Sequence, residues 1–435
     1  MIIFRFILFF IFIFQGVDIF LLFIVFYFLY EIFVGFNLGF LGSIFFCGGW
    51  GYVLCLLRVI IVILIYLRGR ALKVFNKRYI FLLWIIFISL IFCFKVNDFF
   101  LFYFRFEFVV VPIFLIMLIF GYSIDRVLAS LYIFLYTLFT SLPFLLFLLY
   151  NEVCIGSLNL LYQELIGKLE VFYGWWVLRM LFVFIVKYPI YILHLWLPRA
   201  HVEAPVSGSM ILAGVLLKLG AYGVLNLLIF RGGLIVYLKI LLRGLSFIGV
   251  VLVCFLRVRQ LDIKLMVAYS SIVHMGPVLM SFLYGFEFGL ISGNFMLLAH
   301  GLCSSALFYI LNLGYERQHS RRLFVIRGGL ILSPVISYWW FFLCVRNIGC
   351  PPTFNFISEI FMMWGLAYVR YVFIFIICLL GFFVGIYCVY IYEYFNHGIT
   401  LVISNFFVLR HLENNVIFIH SFPILVRVFF VGECI

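Results

Sequence analysis

Apolar runs long enough to cross a bilayer recur along the chain, separated by short clusters of charge and by glycine or proline. A helix needs about 20 apolar residues to span the hydrocarbon, and it satisfies its own backbone hydrogen bonds there. Reading the runs between charges and breaks predicts roughly 13 or 14 helices. The well-bounded ones cover 50–67, 79–96, 106–121, 126–149, 175–198, 204–230, 235–256, 262–284, 288–314, 332–349, 354–369 and 371–394. The first 50 and last 30 residues carry apolar runs without such clear bounds. The longest non-apolar interlude, Asn151 to Gly174, reads as a loop. The expected fold class is therefore all-α: a polytopic transmembrane helix bundle with the whole chain, 1–435, as one membrane domain.

Composition strengthens this picture. Of 435 residues, 68% are apolar and 10% charged, and the mean hydropathy is +1.30, which excludes a soluble domain. The formal charge of +13 would suit a nucleic-acid binder, but the basic residues fall in short clusters between apolar runs, such as Arg68, Arg70, Lys73, Lys77 and Arg78. That pattern predicts loops held on one membrane face by their positive charge and argues against nucleic acid as a partner. Eleven cysteines are scattered without a Cys-x-x-Cys pair, so neither an iron–sulfur cluster nor a zinc ribbon has its usual spacing. No dinucleotide fingerprint or Walker loop is present. No cofactor or metal is expected on this chain, and any redox chemistry belongs to a partner. The opening MIIFRFILFFIFIF reads as a retained first span, since no small-residue cleavage site follows it. The lack of an Arg-rich, Ser-rich presequence suits a protein made in the organelle where it works, and 60 phenylalanines suit a thymine-rich organellar gene.

Ionisable side chains inside a span are costly and mark an ion path or an internal pair. Lys218 is the only charge in 204–230, Glu359 stands alone between Arg346 and Arg370, Lys187 lies in the apolar run Met180–Pro198, and Glu107 sits in FYFRFEFVVVPIFLIMLIF. For each, the alternative is a purely structural pairing or snorkelling to the interface, and Arg105 beside Glu107 offers an anchor at the membrane edge. Lys187, His194 and His201 are seven apart, which keeps them nearly on one helix face, but Pro189 and Pro198 interrupt the hydrogen bonding of that helix. A broken helix at membrane depth is tolerated where it lines a polar cavity, and transporters place ion sites at such breaks. Pro351-Pro352 before Glu359 marks a second break. His194, His201, His274 and His300 add candidate proton carriers in apolar context. Lysine suits a relay because burial disfavours its charged form and a nearby carboxylate restores it.

The segments VKYPIYILHLWLPRAHVEAPVSGSMILAGVLLKLGAYG (186–223), LRVRQLDIKLMVAYSSIVHMG (256–276), LLAHGLCSSALFYILNLGYERQHSRR (297–322) and PPTFNFISEI (351–360) resemble the antiporter-like, proton-translocating membrane subunits of respiratory complex I, and among them the subunit-4 branch. FEFVVVP (106–112) and YIFLYTLFTSLPFLLFLLY (132–150) match in kind, so the resemblance covers Phe106 to Ile360. It implies two inverted helix bundles, each with one broken helix, divided here as N-terminal helices 1–100, a first bundle 101–230, a second bundle 231–394 and a C-terminal segment 395–435. It also implies that Glu107 and Lys187 form a gating pair, Lys218 is the central relay, Glu359 is the terminal acid, and His194, His201, His300 and His274 lie along the path. Arg317 and Arg321 are positional on this reading. The paralogous subunits 2 and 5 carry lysine at the last relay position, so Glu359 favours the subunit-4 branch. The resemblance further implies the mitochondrial inner membrane, subunits 2 and 5 and lipids as neighbours, FMN and iron–sulfur clusters in partner subunits, and NADH and ubiquinone as substrates of the assembly. Two departures stand out: Ser358 and Thr140 occupy positions where the family has glycine. A subunit of a multisubunit sodium/proton antiporter is the first alternative, and a structural subunit with vestigial relay residues the second.

Overall fold

The computed structural model describes residues 46–71, 77–94, 98–121, 124–155, 174–230, 236–318, 320–369, 372–398 and 409–426, and among these every long element is helical. The helices are α1 (Phe46–Ala71), α2 (Lys77–Phe94), α3 (Phe99–Phe108), α4 (Val110–Phe120), α5 (Arg126–Ile155), α6 (Gly174–Lys187), α7 (Trp196–Glu203), α8 (Val206–Ile211) and α9 (Leu217–Phe230). There follow α10 (Val236–Val258), α11 (Ile263–Tyr284), α12 (Glu287–Gln318), α13 (Gly329–Leu332), α14 (Pro334–Ile348), α15 (Phe354–Ala367), α16 (Val372–Asn396) and α17 (His411–Val426). Eight described helical stretches are long and apolar enough to cross a membrane. Residues 1–45, most of the Asn151–Gly174 interlude and the last residues of the chain lie outside the described residues, as do the expectations that fall on them.

The span expected at 106–121 starts earlier, at Phe99, with a hitch at Val109 between α3 and α4. Pro112 has no N–H to give the carbonyl of Phe108, and its ring crowds that carbonyl, so the helix is interrupted one turn before it. Glu107 therefore sits well inside the span and not at its edge. Arg105 does not pin it there: its guanidinium donates to Phe92 O at 2.7 Å and lies over the Phe92 ring.

Burial sorts the spans into an inner and an outer set. The central window of α12 is 100% buried, that of Val206–Leu228 94% and that of α11 83%, whereas α10 and α16 are 33% buried. Outer helices present Phe375, Phe382, Ile248 and Phe255 outward, where lipid solvates them. Inner helices carry the polar groups: Ser292, Asn294, His300, Ser304, Ser305 and Asn312 of α12 are all buried. Ser304 Oγ donates to His300 O at 2.6 Å and Ser305 Oγ to Leu302 O at 3.1 Å, so these small hydroxyls fold back on their own helix and leave room for neighbours.

Both expected helix breaks are present. The first runs from Tyr188 to Ile192 and continues as a single 3₁₀ turn, Leu193–Leu195, into α7. The second is the interlude between α14 and α15, closed by Gly349 at φ +81° and the cis Pro351–Pro352 bond. The basic residues depart from expectation. Arg68 lies in the last turn of α1, buried and paired with Glu316 of α12 at 2.9 Å, while Arg58, Arg257 and Arg346 are buried within helices. Loops alone do not hold the positive charge.

Candidate functional site

The first break is built by residues that satisfy what it opens. Tyr188 N–H still reaches Phe184 O at 2.7 Å, after which the chain turns out of the helix and Ile192 adopts φ +81°, a strained conformation for a β-branched residue. Trp196 Nε1 donates to Val186 O at 2.9 Å, closing a carbonyl that the break leaves without its helical partner. Tyr188 OH donates to Met275 O of α11 and ties the break to the inner set. Gly220 of α9 lies against the same point: a Cβ there would stand 2.8 Å from Tyr188 N and 3.0 Å from Lys187 C, so only glycine permits the approach. The break thus ends α6 at Lys187 and seats α9 directly against it.

Lys187 and Glu107 are paired, Nζ to Oε1 at 3.0 Å. Lys187 Nζ also donates to Phe106 O at 3.1 Å and lies 3.2 Å from the Phe106 ring centroid. A buried ammonium here has a carboxylate, a carbonyl and a ring face, which together offset its desolvation.

Lys218 is solvated differently. It follows a π-helical segment, Leu212–Leu216, between α8 and α9. Its Nζ donates to Ala213 O at 2.5 Å and lies 3.1 Å from His300 Nδ1. A π segment offsets carbonyls from their usual partners, and Ala213 O receives the ammonium in this way. Among the described residues Lys218 has no carboxylate partner. The His300 and His274 ring centroids are 5.5 Å apart, which sets a second imidazole beside the first. Asn347 of α14 donates to Cys388 Sγ of α16 at 3.7 Å.

Glu359, in α15, lies over the second break, with Oε2 2.8 Å from where a Gly349 Cβ would stand, and among the described residues it forms no ion pair. A side chain at 349 would displace the carboxylate. His201 is fully buried and stacked on Phe308 at 4.6 Å and 8°, with neither ring nitrogen hydrogen-bonded. His194 is buried, stacked on Tyr191 at 5.3 Å. The structure therefore joins Glu107 with Lys187, and Lys218 with His300 and His274. Among the described residues no hydrogen bond or ion pair links His194, His201 or Glu359 to those two groups, and the break at 188–192 interrupts the helical register between Lys187 and the two histidines that follow it.

Two polar residues were missed by the sequence reading. Lys264 is buried, with Nζ 3.4 Å from Ala204 O. Standing two residues after Asp262 at a helix start, it reads as a membrane-edge charge, and only the docking of α11 on the end of α7 buries it. Asn347, uncharged, gave no signal beyond its place in an apolar run. Arg317 and Arg321 are positional by contact: Arg317 pairs with Glu413 at 2.8 Å, and Arg321 donates to Val202 O at 2.9 Å beside Glu203.

The described bundle thus holds a Lys187–Glu107 ion pair beside the first helix break and a Lys218–His300 contact among its inner helices, which makes it an all-helical membrane protein with ionisable groups at membrane depth. The transmembrane family described as NADH:quinone oxidoreductase/Mrp antiporter matches residues 96–385. The chain belongs to this family and, within it, groups with NADH-ubiquinone oxidoreductase chain 4. A relative of that name from Aedes aegypti is 40% identical over 299 residues, covering 68% of this chain and 66% of its own length. Another from Albinaria caerulea is 35% identical over 381 residues, covering 86% of this chain and 85% of its own. Among solved structures, a chain of respiratory complex I from Thermus thermophilus with bound NADH superposes with a TM-score of 0.80 at 22% identity, over 88% of this chain and 82% of that one. A chain of the Mrp complex from Dietzia sp. DQ12-45-1b superposes equally well at 14% identity, over 88% and 81%. These two likenesses establish the shared fold.

Proposed function

We propose that this chain is a core membrane-arm subunit of respiratory complex I that carries protons across the mitochondrial inner membrane. The observation that carries the reading is the Lys218–His300–His274 line: three titratable side chains in sequence within a lipid-embedded bundle, next to a separable lysine–carboxylate pair. While Glu107 faces Lys187, the buried ammonium is compensated and holds its proton. Moving the pair apart leaves that charge without a counter-ion in low dielectric, which favours passing a proton toward Lys218. From Lys218 the proton moves to His300 and His274, with Glu359 as the terminal acid and His194 and His201 as flanking groups. Gaps between groups not in contact are crossed by water.

Electron transfer from NADH to ubiquinone takes place in partner subunits that hold FMN and the iron–sulfur clusters. Subunits 2 and 5 of the same assembly are the expected neighbours, with lipids between. The first bundle, 101–230, supplies the gating pair and Lys218, and the second, 231–394, supplies His274, His300 and Glu359. The sodium/proton antiporter reading draws on the Mrp likeness at 14% identity, whereas relatives named chain 4 match at 35% and 40% over most of the chain. Purifying the native assembly in mild detergent distinguishes them: co-purifying flavin with NADH oxidation supports the complex I reading, and a flavin-free set of small membrane subunits rejects it. Replacing Lys218 by alanine in the assembled enzyme tests the relay itself, and undiminished proton pumping removes Lys218 from the path.

A further inference from the structure

The outer helices α10 and α16 leave an apolar crevice where they meet the inner set. It is lined by Phe247 and Val250 of α10, Met280 of α11, Leu366 of α15, and Phe373 and Ile377 of α16. The polar side chain at its wall, Ser246, donates back to Arg243 O at 2.9 Å and offers its proton to no guest. The space therefore suits a hydrocarbon chain and gives a polar ligand nothing to bind.

One end of the crevice is charged. Phe373 stands one residue into α16, and its ring centroid is 5.6 Å from that of Tyr284, the last residue of α11. The Arg243 guanidinium carbon lies 3.8 Å from the Tyr284 ring centroid, and Nη2 donates to Leu283 O at 2.7 Å. A carbonyl in the last turn of a helix lacks a helical partner, so this bond anchors the arginine at the end of α11. The start of α16, the end of α11 and the first two turns of α10 thus share one level at the membrane face. Lys239, one turn before Arg243, projects from the same side of α10. Arg243 Nε is buried without a hydrogen-bond partner, and among the described residues Arg243 forms no ion pair. Glu287, which opens α12 just after α11 ends, is exposed and does not neutralise it.

A cation at headgroup depth above a hydrocarbon slot matches one molecule that the bilayer itself supplies. A phospholipid carries a phosphate at the interface and an acyl chain running toward the midplane. The guanidinium fork fits two phosphate oxygens, and a tyrosine ring at that level is at home among headgroups. Two neighbouring cations favour a headgroup of net negative charge over a zwitterionic one, whose own ammonium would face them.

We propose that α10, α11 and α16 form a binding site for one anionic phospholipid, with its phosphate on Arg243 and Lys239 and one acyl chain in the crevice. The site shares no residue with the proton relay and stands whether or not that reading does.

The test places the native assembly in phosphatidylcholine vesicles with a trace of phosphatidylglycerol that carries a diazirine in one acyl chain. After irradiation, labelled peptides are mapped by mass spectrometry. Label is expected on α10 around 247–250 and on α16 around 373–377, about tenfold above that from a phosphatidylcholine probe with the same chain. Lys239→Glu and Arg243→Gln each bring it down toward the level of the choline probe. Unlabelled phosphatidylglycerol competes, and inorganic phosphate does not. Equal labelling by the two probes would show ordinary bilayer contact and overturn the site. Absence of label in the assembly means that another subunit covers the crevice, which also overturns it. Displacement by inorganic phosphate alone assigns the cations to a free anion and rejects the lipid. If Arg243→Gln fails to assemble, Lys239→Glu decides: unchanged labelling there rejects the charged end of the site.

Discussion

The two lysines of the site occupy opposite electrostatic settings. Lys187 has a carboxylate at 3.0 Å, a carbonyl at 3.1 Å and a ring face at 3.2 Å. Lys218, equally buried, has one carbonyl and one imidazole. The first is a compensated ion pair whose charge state depends on a partner's position. The second has no described counter-charge, so its charge state depends on whether a proton is present. In the proposed relay the first is the group that a conformational pulse would discharge, and the second the group that would accept and pass on a proton.

The largest effect expected from breaking this contrast is at the uncompensated site, where Lys218→Ala interrupts the line to His300 and abolishes proton pumping, read as loss of the NADH-driven pH gradient in sealed vesicles. Next is the pair itself. Glu107→Leu leaves Lys187 as an unpaired buried cation and costs about 3–5 kcal/mol, whereas the double change Glu107→Leu with Lys187→Met restores stability while pumping stays impaired. Thermal unfolding of the membrane arm, measured beside pumping, separates the two quantities, and equal stability of the single and double variants would count against the pair being compensated.

Smaller effects sharpen the comparison by acting on the break between the lysines. Gly220→Val drives a side chain into the backbone at Tyr188 and is expected to lower pumping several-fold with electron transfer less affected, a loss diagnostic of strain at a special position. An unchanged proton-to-electron ratio would show that the approach of α9 to the break is not needed. Trp196→Phe removes only the bond to Val186 O and is expected to cost about 1 kcal/mol, visible as faster amide exchange around 186–196 with little change in pumping.

Much of this was legible from the chain because lipid imposes severe rules. Spans could be bounded at charges, and single charges inside them, Lys187, Lys218, Glu107 and Glu359, announced themselves by their cost. Prolines marked both breaks. What escaped was whatever lay near a span's end. Arg257 and Lys264 sit within a turn of a helix terminus, and Arg68 follows a long apolar run, so each reads as an interfacial charge. All three are buried by helices that dock from elsewhere in the chain. The span that holds Glu107 was started too late, at 106, because Arg105 looked like a boundary, whereas the helix begins at Phe99 and the Arg105 guanidinium reaches the backbone of α2.

The sequence by itself determined the solvent, the all-helical class, the location of the breaks and the titratable residues worth asking about, because each of these follows from the local cost of a polar group or a proline in hydrocarbon. Tertiary structure alone decided the pairing: Glu107 with Lys187 across 80 residues and Lys218 with His300 across 82. No local rule carries such information. A buried charge signals that compensation is needed, but which group provides it depends on how inner helices stack, and that is fixed by glycine contacts and ring packing between segments distant in sequence.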